Sequence, residues 1–185
     1  GPLKESEIIN QYNLQIKILA RMYSFGMKPV LTCFAGHVPM QINTLYPRAN
    51  ITHSAQWNGF PYPYGSVTLL NFEDPLFRKF GSKFIELQIK YYNTSHYYQC
   101  DTFNEMIPSS NDTEYLTNAS QYVYQPMKDA DNNAIWVIQS WVFNNHNFWN
   151  NITVKAYLNG VNNNDMLILD LDTEHSPLYN KYDSY

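Results

Sequence analysis

The feature that most restricts the fold of this chain is a repeated order of helix, short apolar run and loop. Over residues 5–25, apolar side chains recur at Ile9, Tyr12, Ile16, Leu19 and Tyr23, the three- and four-residue steps of a helix with one buried face. Gly26 ends that pattern, Lys28-Pro29 leads into an apolar run over 30–34, and Ala35-Gly36-His37-Val38-Pro39 follows as a loop. A run of this length without alternation suits a strand covered on both faces. The order then recurs. Asp74-Pro75 combines a capping carboxylate with proline at the first helical position, and Phe77, Phe80, Phe84, Leu87 and Tyr91 form the predicted buried stripe. A strand is expected over 96–102, followed by a helix over 114–128 that Pro126 should bend or stop. An apolar strand over 134–138 comes next, with Trp141 opening another loop. A short helix over 154–158, with Gly160 and an Asn-rich turn after it, precedes a last strand over 166–171.

Four strands separated by helices specify a parallel sheet built from right-handed βαβ units. No glycine-rich phosphate loop follows any of them, so a nucleotide-binding doubly wound sheet loses its main support. A (β/α)8 TIM barrel is the better candidate. Such a barrel needs eight strands and about 250 residues, whereas the chain has 185. The expected class is therefore α/β, a partial barrel of about four consecutive βα units. Residues 1–185 would form one partial catalytic domain, truncated on its C-terminal side. Half a barrel exposes two strand edges and part of its apolar interior, so poor autonomous stability is expected.

Charge narrows the function classes. Twelve Lys plus Arg face 16 Asp plus Glu, for a net charge of −4 without any basic run, so the electrostatic footprint of a nucleic-acid binder is missing. No apolar stretch approaches the roughly 20 residues that span a bilayer. Cys33 and Cys100 have neither a CxxC nor a zinc-type Cys/His spacing, and each is expected to be a buried small residue. No metal or cofactor is expected. Sixteen Tyr and four Trp suit sugar-stacking walls and ordinary cores alike. Five Asn-x-Ser/Thr sequons, at Asn50, Asn93, Asn111, Asn118 and Asn151, are a mild excess for so Asn-rich a chain and weak support for a secretory route.

In a barrel the chemistry sits just past the carboxyl ends of the strands. Four segments occupy such positions: Ala35-Gly36-His37-Val38-Pro39, Asp101-Thr102-Phe103-Asn104-Glu105-Met106, Gln139-Ser140-Trp141 and Asp170-Leu171-Asp172-Thr173-Glu174. Glycosidic cleavage commonly uses two carboxyl groups across the scissile bond. Among these segments Glu105 is the natural general acid/base, and Glu174 is a second carboxylate. Asn104 could hold a sugar hydroxyl or acetamido group beside the acid. Taken alone, His37 reads more readily as a hydrogen-bonded loop histidine, and Trp57 and Trp141 as core or rim packing.

At these same residues the chain resembles glycoside hydrolase family 89, the α-N-acetylglucosaminidases. The resemblance is carried by Gly1-Pro2-Leu3, Gly26-Met27-Lys28-Pro29-Val30-Leu31, Phe34-Ala35-Gly36-His37-Val38-Pro39, Asp101-Thr102-Phe103-Asn104-Glu105-Met106, Gln139-Ser140-Trp141-Val142-Phe143 and Leu169-Asp170-Leu171, in that order. It implies a retaining hydrolase that removes terminal α-linked N-acetylglucosamine from glycans, heparan sulfate in animal lysosomes. It also implies roles for single residues: Glu105 as acid/base, Asn104 as its substrate-holding neighbour, Trp57 and Trp141 as pocket walls, and His37 in the signature loop. The nucleophile, a second glutamate on a later strand, is expected outside this chain. In such barrels the acid follows the fourth strand, which makes the strand before Glu174 the sixth, and Glu174 is not given that role. The chain departs from the family pattern at Thr32-Cys33, where Pro-Ala is usual, and at Ser140, where Gly is usual. The implied partner is a carbohydrate, the implied location lysosomal or secreted, and the full-length enzyme could oligomerise. The alternative is a catalytically incompetent sugar-binding or structural remnant of the barrel. A β-hexosaminidase would need a different signature around the acid.

Overall fold

The fold is that of a computed structural model, which describes residues 3–54, 56, 59–62, 64–94 and 96–183. Helix α1 (Glu5–Ser24) starts where the Glu7 carboxylate accepts the Lys4 N–H at 2.7 Å, and it ends at Gly26, whose φ of 71° suits a residue without Cβ. Strand β1 (Leu31–Thr32) follows. Between β1 and the next long helix the chain makes an excursion that the hydrophobic periodicity did not signal. It consists of a single helical turn α2 (Ile42–Leu45) and an antiparallel pair, β2 (Ile51–His53) with β3 (Thr68–Leu70).

Helix α3 (Pro75–Tyr92) begins as expected. Asp74 caps it by accepting the Leu76 N–H at 2.8 Å, and its other oxygen takes the Asn50 N–H at 2.7 Å, tying the hairpin to the helix. Strand β4 (Tyr97–Gln99), helix α4 (Thr113–Ala130), strand β5 (Ile135–Gln139), helix α5 (Asn151–Leu158) and strand β6 (Met166–Leu169) complete the sequence of elements. The sheet order is β1-β4-β5-β6, all parallel, with Thr32 opposite Gln99, Tyr98 opposite Trp136 and Ile138 opposite Ile168. The expected parallel sheet of alternating helices and strands is thus present, with β1 and β6 at its edges.

Two expectations about helix faces need correction. On α3 the buried line is Phe77, Gly81, Ile85 and Gln88, while Phe84, Leu87 and Tyr91 lie exposed. The helix is rotated because it must meet α4 as well as the sheet. A Cβ at Gly81 would stand only 2.7 Å from Cβ of Pro126, so the two helices approach closely at the one position that has no side chain. Pro126 does not end α4, which runs four residues further; its ring is part of that contact. On α1 only Leu19 is buried, and Ile9, Tyr12 and Tyr23 are exposed. The main partner of this helix is the end of α3, where Tyr12 meets the rings of Tyr91 and Tyr92 at 6.3 and 5.9 Å.

The core lies between the sheet and α3, α4 and α5. Its centre is aromatic: the Tyr157 ring is 5.6 Å from Trp149, 6.1 Å from Trp136, 6.1 Å from Phe143 and 5.9 Å from Phe103. These mostly edge-on contacts are the preferred packing of quadrupolar rings. At the amino ends of the strands a polar network closes the sheet. The buried Asp131 carboxylate accepts from the Tyr98 hydroxyl at 2.8 Å and the His96 N–H at 2.9 Å through Oδ2, and from the Asn133 N–H at 3.0 Å through Oδ1; the His96 ring nitrogen lies within 3.0 Å of both oxygens. Among the described residues no helix is long and apolar enough to cross a membrane.

Candidate active site

The carboxyl ends of the strands frame a cleft of about 700 Å³ whose lining includes His37, Asp101, Asn104, Glu105 and Gln139. Glu105 and Asn104 reach it from a tight turn in which the Met106 N–H donates to the Phe103 carbonyl at 2.7 Å. Asn104 takes a φ of 49° there, a left-handed conformation that asparagine accepts more readily than most residues. Both side chains stand exposed on the turn, whereas Phe103 turns inward onto Tyr157. Two core rings hold the segment from below: Trp136 Nε1 donates to the Cys100 carbonyl at 2.9 Å, and the Tyr157 hydroxyl lies 3.3 Å from that of Thr102. The turn that offers the carboxyl group to solvent is thereby attached to the most buried part of the molecule.

Trp141 arrives from the 3-10 turn Ser140–Asn144 after β5. Its indole Nε1 donates to Glu105 Oε1 at 3.2 Å, and it lines a depression of about 260 Å³ that shares Asn104, Glu105 and Met106 with the main cleft. His37 stands on a loop stitched to β3, with Val38 N–H on the Thr68 carbonyl at 3.1 Å and Leu70 N–H on the Gly36 carbonyl at 2.8 Å. Gly36, at φ 94°, is required at this point, because a Cβ would lie 3.1 Å from both the Leu70 carbonyl oxygen and the Phe77 ring. Of the residues singled out from the sequence, His37, Asn104, Glu105 and Trp141 therefore converge on one face. Trp57 lies outside the described residues. Glu174 does not join them; it sits exposed on the turn after β6, 3.8 Å from the His175 ring and beside Asp172.

Two features escaped the sequence reading. The first is Asp101, which was quoted only as part of a strand-end segment. Its half-buried carboxylate accepts the Gln139 N–H at 3.0 Å and the Gln99 side-chain amide at 2.8 Å. Burial raises its pKa, and these two donors oppose the rise without cancelling it. The second is a correction: Cys33 and Cys100 are not separate buried thiols but a disulfide, with Cα atoms 5.3 Å apart. The parallel register explains the pairing. Thr32 faces Gln99, so the next residues on each strand face one another, although 67 positions separate them in sequence. The bond joins the roots of the His37 and Glu105 loops.

Comparison with known proteins agrees with this fold. The family model described as the alpha-N-acetylglucosaminidase (NAGLU) TIM-barrel domain matches residues 1–185. Human alpha-N-acetylglucosaminidase is 41% identical over 186 residues, covering all of this chain and 25% of that protein. Among solved structures, the family 89 glycoside hydrolase from Clostridium perfringens in complex with PUGNAc superposes with a TM-score of 0.79 at 26% identity, over 98% of this chain and 20% of that one. A variant of the Clostridium perfringens enzyme, solved with its substrate GlcNAc-alpha-1,4-galactose, gives a TM-score of 0.78 at 27% identity, over 97% of this chain and 20% of that one. The partial α/β barrel carrying Glu105 at the end of its second sheet strand thus belongs to the α-N-acetylglucosaminidase family, glycoside hydrolase family 89, and corresponds to part of its TIM-barrel domain.

Proposed function

We propose that this chain is the central, acid/base-bearing part of a retaining α-N-acetylglucosaminidase that removes terminal α-linked N-acetylglucosamine from glycans. One observation carries the reading: Glu105 stands beside Asn104 on a rigidly supported turn at a strand's carboxyl end, in an open cleft, with an indole N–H on its carboxyl oxygen. In the first step Glu105 gives its proton to the leaving glycosidic oxygen while a second carboxylate attacks the anomeric carbon; in the second step Glu105 takes a proton from water as the water attacks that carbon and releases the second carboxylate. Asn104 holds the acetamido group or a neighbouring hydroxyl, and Trp141, His37 and Trp57 form the walls. The second carboxylate comes from a further segment of the barrel. The Clostridium perfringens substrate complex, obtained with two glutamates changed to glutamine, fits a mechanism that needs two such groups. The substrate class is carbohydrate, heparan sulfate among the candidates, and the location lysosomal or secreted. The Cys33–Cys100 disulfide supports passage through an oxidising compartment.

The test uses protein expressed from its full coding region with Glu105→Ala. Loss of the acid should lower kcat/KM on an α-linked disaccharide by about a thousandfold and on an aryl glycoside with a good leaving group much less, because that first step needs little protonation, while kcat on the aryl substrate still falls because the second step has lost its base. Azide, which needs no general base, should restore turnover of the aryl substrate and yield an α-glycosyl azide. Equal losses on both substrates with no azide effect would remove Glu105 from this role.

A further inference from the structure

Trp141 is 43% exposed, and its own 3-10 turn has no side-chain cap at its start. The two residues before it are both gripped by carboxylates from neighbouring strand ends. Asp101, after β4, accepts the Gln139 N–H at 3.0 Å. Asp170, after β6, accepts the Ser140 hydroxyl at 2.7 Å, while its other oxygen takes the N–H groups of Leu178 and Tyr179 at 3.1 and 3.0 Å. Ser140 is fully buried, and at this position neither a glycine nor an alanine could supply a side-chain donor. We propose that Ser140 is a positioning residue: held by Asp170 on one side, with Asp101 holding the preceding amide on the other, it fixes the Trp141 indole on Glu105. The proposal rests on the reading of Glu105 as acid/base. Its chemical consequence is orientation: the indole N–H on Oε1 fixes the plane of the Glu105 carboxyl group.

The experiment is a double-mutant cycle in protein expressed from its full coding region, read as kcat and KM on an aryl α-N-acetylglucosaminide. Ser140→Ala should lower kcat about five- to tenfold with KM changed less than about twofold, the signature of a misaligned group rather than weakened binding. In a Trp141→Phe background the same substitution should cost less than about twofold, because the group it positions is gone. A loss of equal size in both backgrounds, or no loss in either, overturns the proposal. A second measurement does not depend on turnover: in protein labelled with 5-fluorotryptophan, Asp170→Asn, whose carboxylate reaches the turn through Ser140, should shift or broaden the Trp141 fluorine resonance, and the remote Lys83→Ala should not. An unmoved resonance also overturns it. Absence of any wild-type turnover would instead remove the proposed activity and leave the fluorine resonance to decide the positioning role.

Discussion

The two ends of strand β4 handle the same kind of side chain in opposite ways. At the amino end, Asp131 collects donors from Tyr98, His96 and Asn133 and is buried. At the carboxyl end, Glu105 and Asn104 stand exposed on a turn while the atoms beneath them are pinned by Trp136 and Tyr157. Acceptors at the closed end hold strands together, whereas at the open end the backbone is anchored from below and the Glu105 and Asn104 side chains line an open cleft. Polar residues alone do not mark a site in such a sheet; the direction of the strand does.

This contrast can be broken by substitution. The largest effect should come from Glu105→Gln, which should lower kcat/KM on an α-linked disaccharide by about a thousandfold, roughly 4 kcal/mol of barrel-top chemistry, with the melting midpoint unchanged. A drop in melting temperature alongside would mean that the open end carries stability through its terminal groups after all. Next comes Cys33→Ala with Cys100→Ala. Removing a cross-link over 67 positions should cost about 4 kcal/mol on the chain-entropy account, seen as a lower denaturant midpoint and, with dithiothreitol, as no further change. Asp131→Ala should cost about 3 kcal/mol, because it strands the buried Tyr98 hydroxyl and two backbone N–H groups, while kcat/KM of the folded protein stays within about twofold of wild type.

A subtler test uses pH. Burial alone would raise the Asp131 pKa, but hydrogen bonds from Tyr98, Asn133 and His96 outweigh it and bring the value below the ordinary 3.8. Its contribution is therefore present above pH about 4 and is lost as pH falls through the depressed folded value. Asp101 moves the other way: burial raises it above 3.8, so the folded state binds the extra proton and stability increases as pH falls through that raised value toward 3.8. Asp131→Asn and Asp101→Asn should flatten the pH-stability curve on opposite sides of about pH 4. Identical shifts would erase the distinction between the two ends. The smallest effect expected is about 1 kcal/mol for Asp74→Ala, from loss of the α3 cap, measured by urea midpoint.

The succession of helices and parallel strands was legible because the first two long helices showed helical spacing, α3 carried its own start signal, and three of the four sheet strands lay in short apolar runs. Asp74-Pro75 and the strand over 134–138 are local statements that need no distant partner. The same locality explains the misses. Phe84, Leu87 and Tyr91 have helical spacing, but the face that α3 buries is set by Gly81 against Pro126, a contact 45 positions apart that no single-helix pattern contains. The disulfide was illegible because only the register of β1 on β4 brings Cys33 to Cys100. At the candidate site, Glu105 and Asn104 were singled out from their place past a strand end and from a family resemblance, and the fold sets both on the cleft. The role of Asp101 was not singled out, because its partners Gln99 and the Gln139 amide become neighbours only in the folded sheet.

The anchoring of the Glu105 turn bears on whether that turn can be transplanted. Asp101-Thr102-Phe103-Asn104-Glu105-Met106 looks like a portable hexapeptide, yet its shape is dictated by an indole from β5 on the Cys100 carbonyl and a phenol from α5 beside Thr102. A protein engineer grafting the six residues onto another barrel would carry over the letters without the scaffold. The smallest transferable module is the loop together with Trp136 and Tyr157, three stretches of chain that must be moved as one.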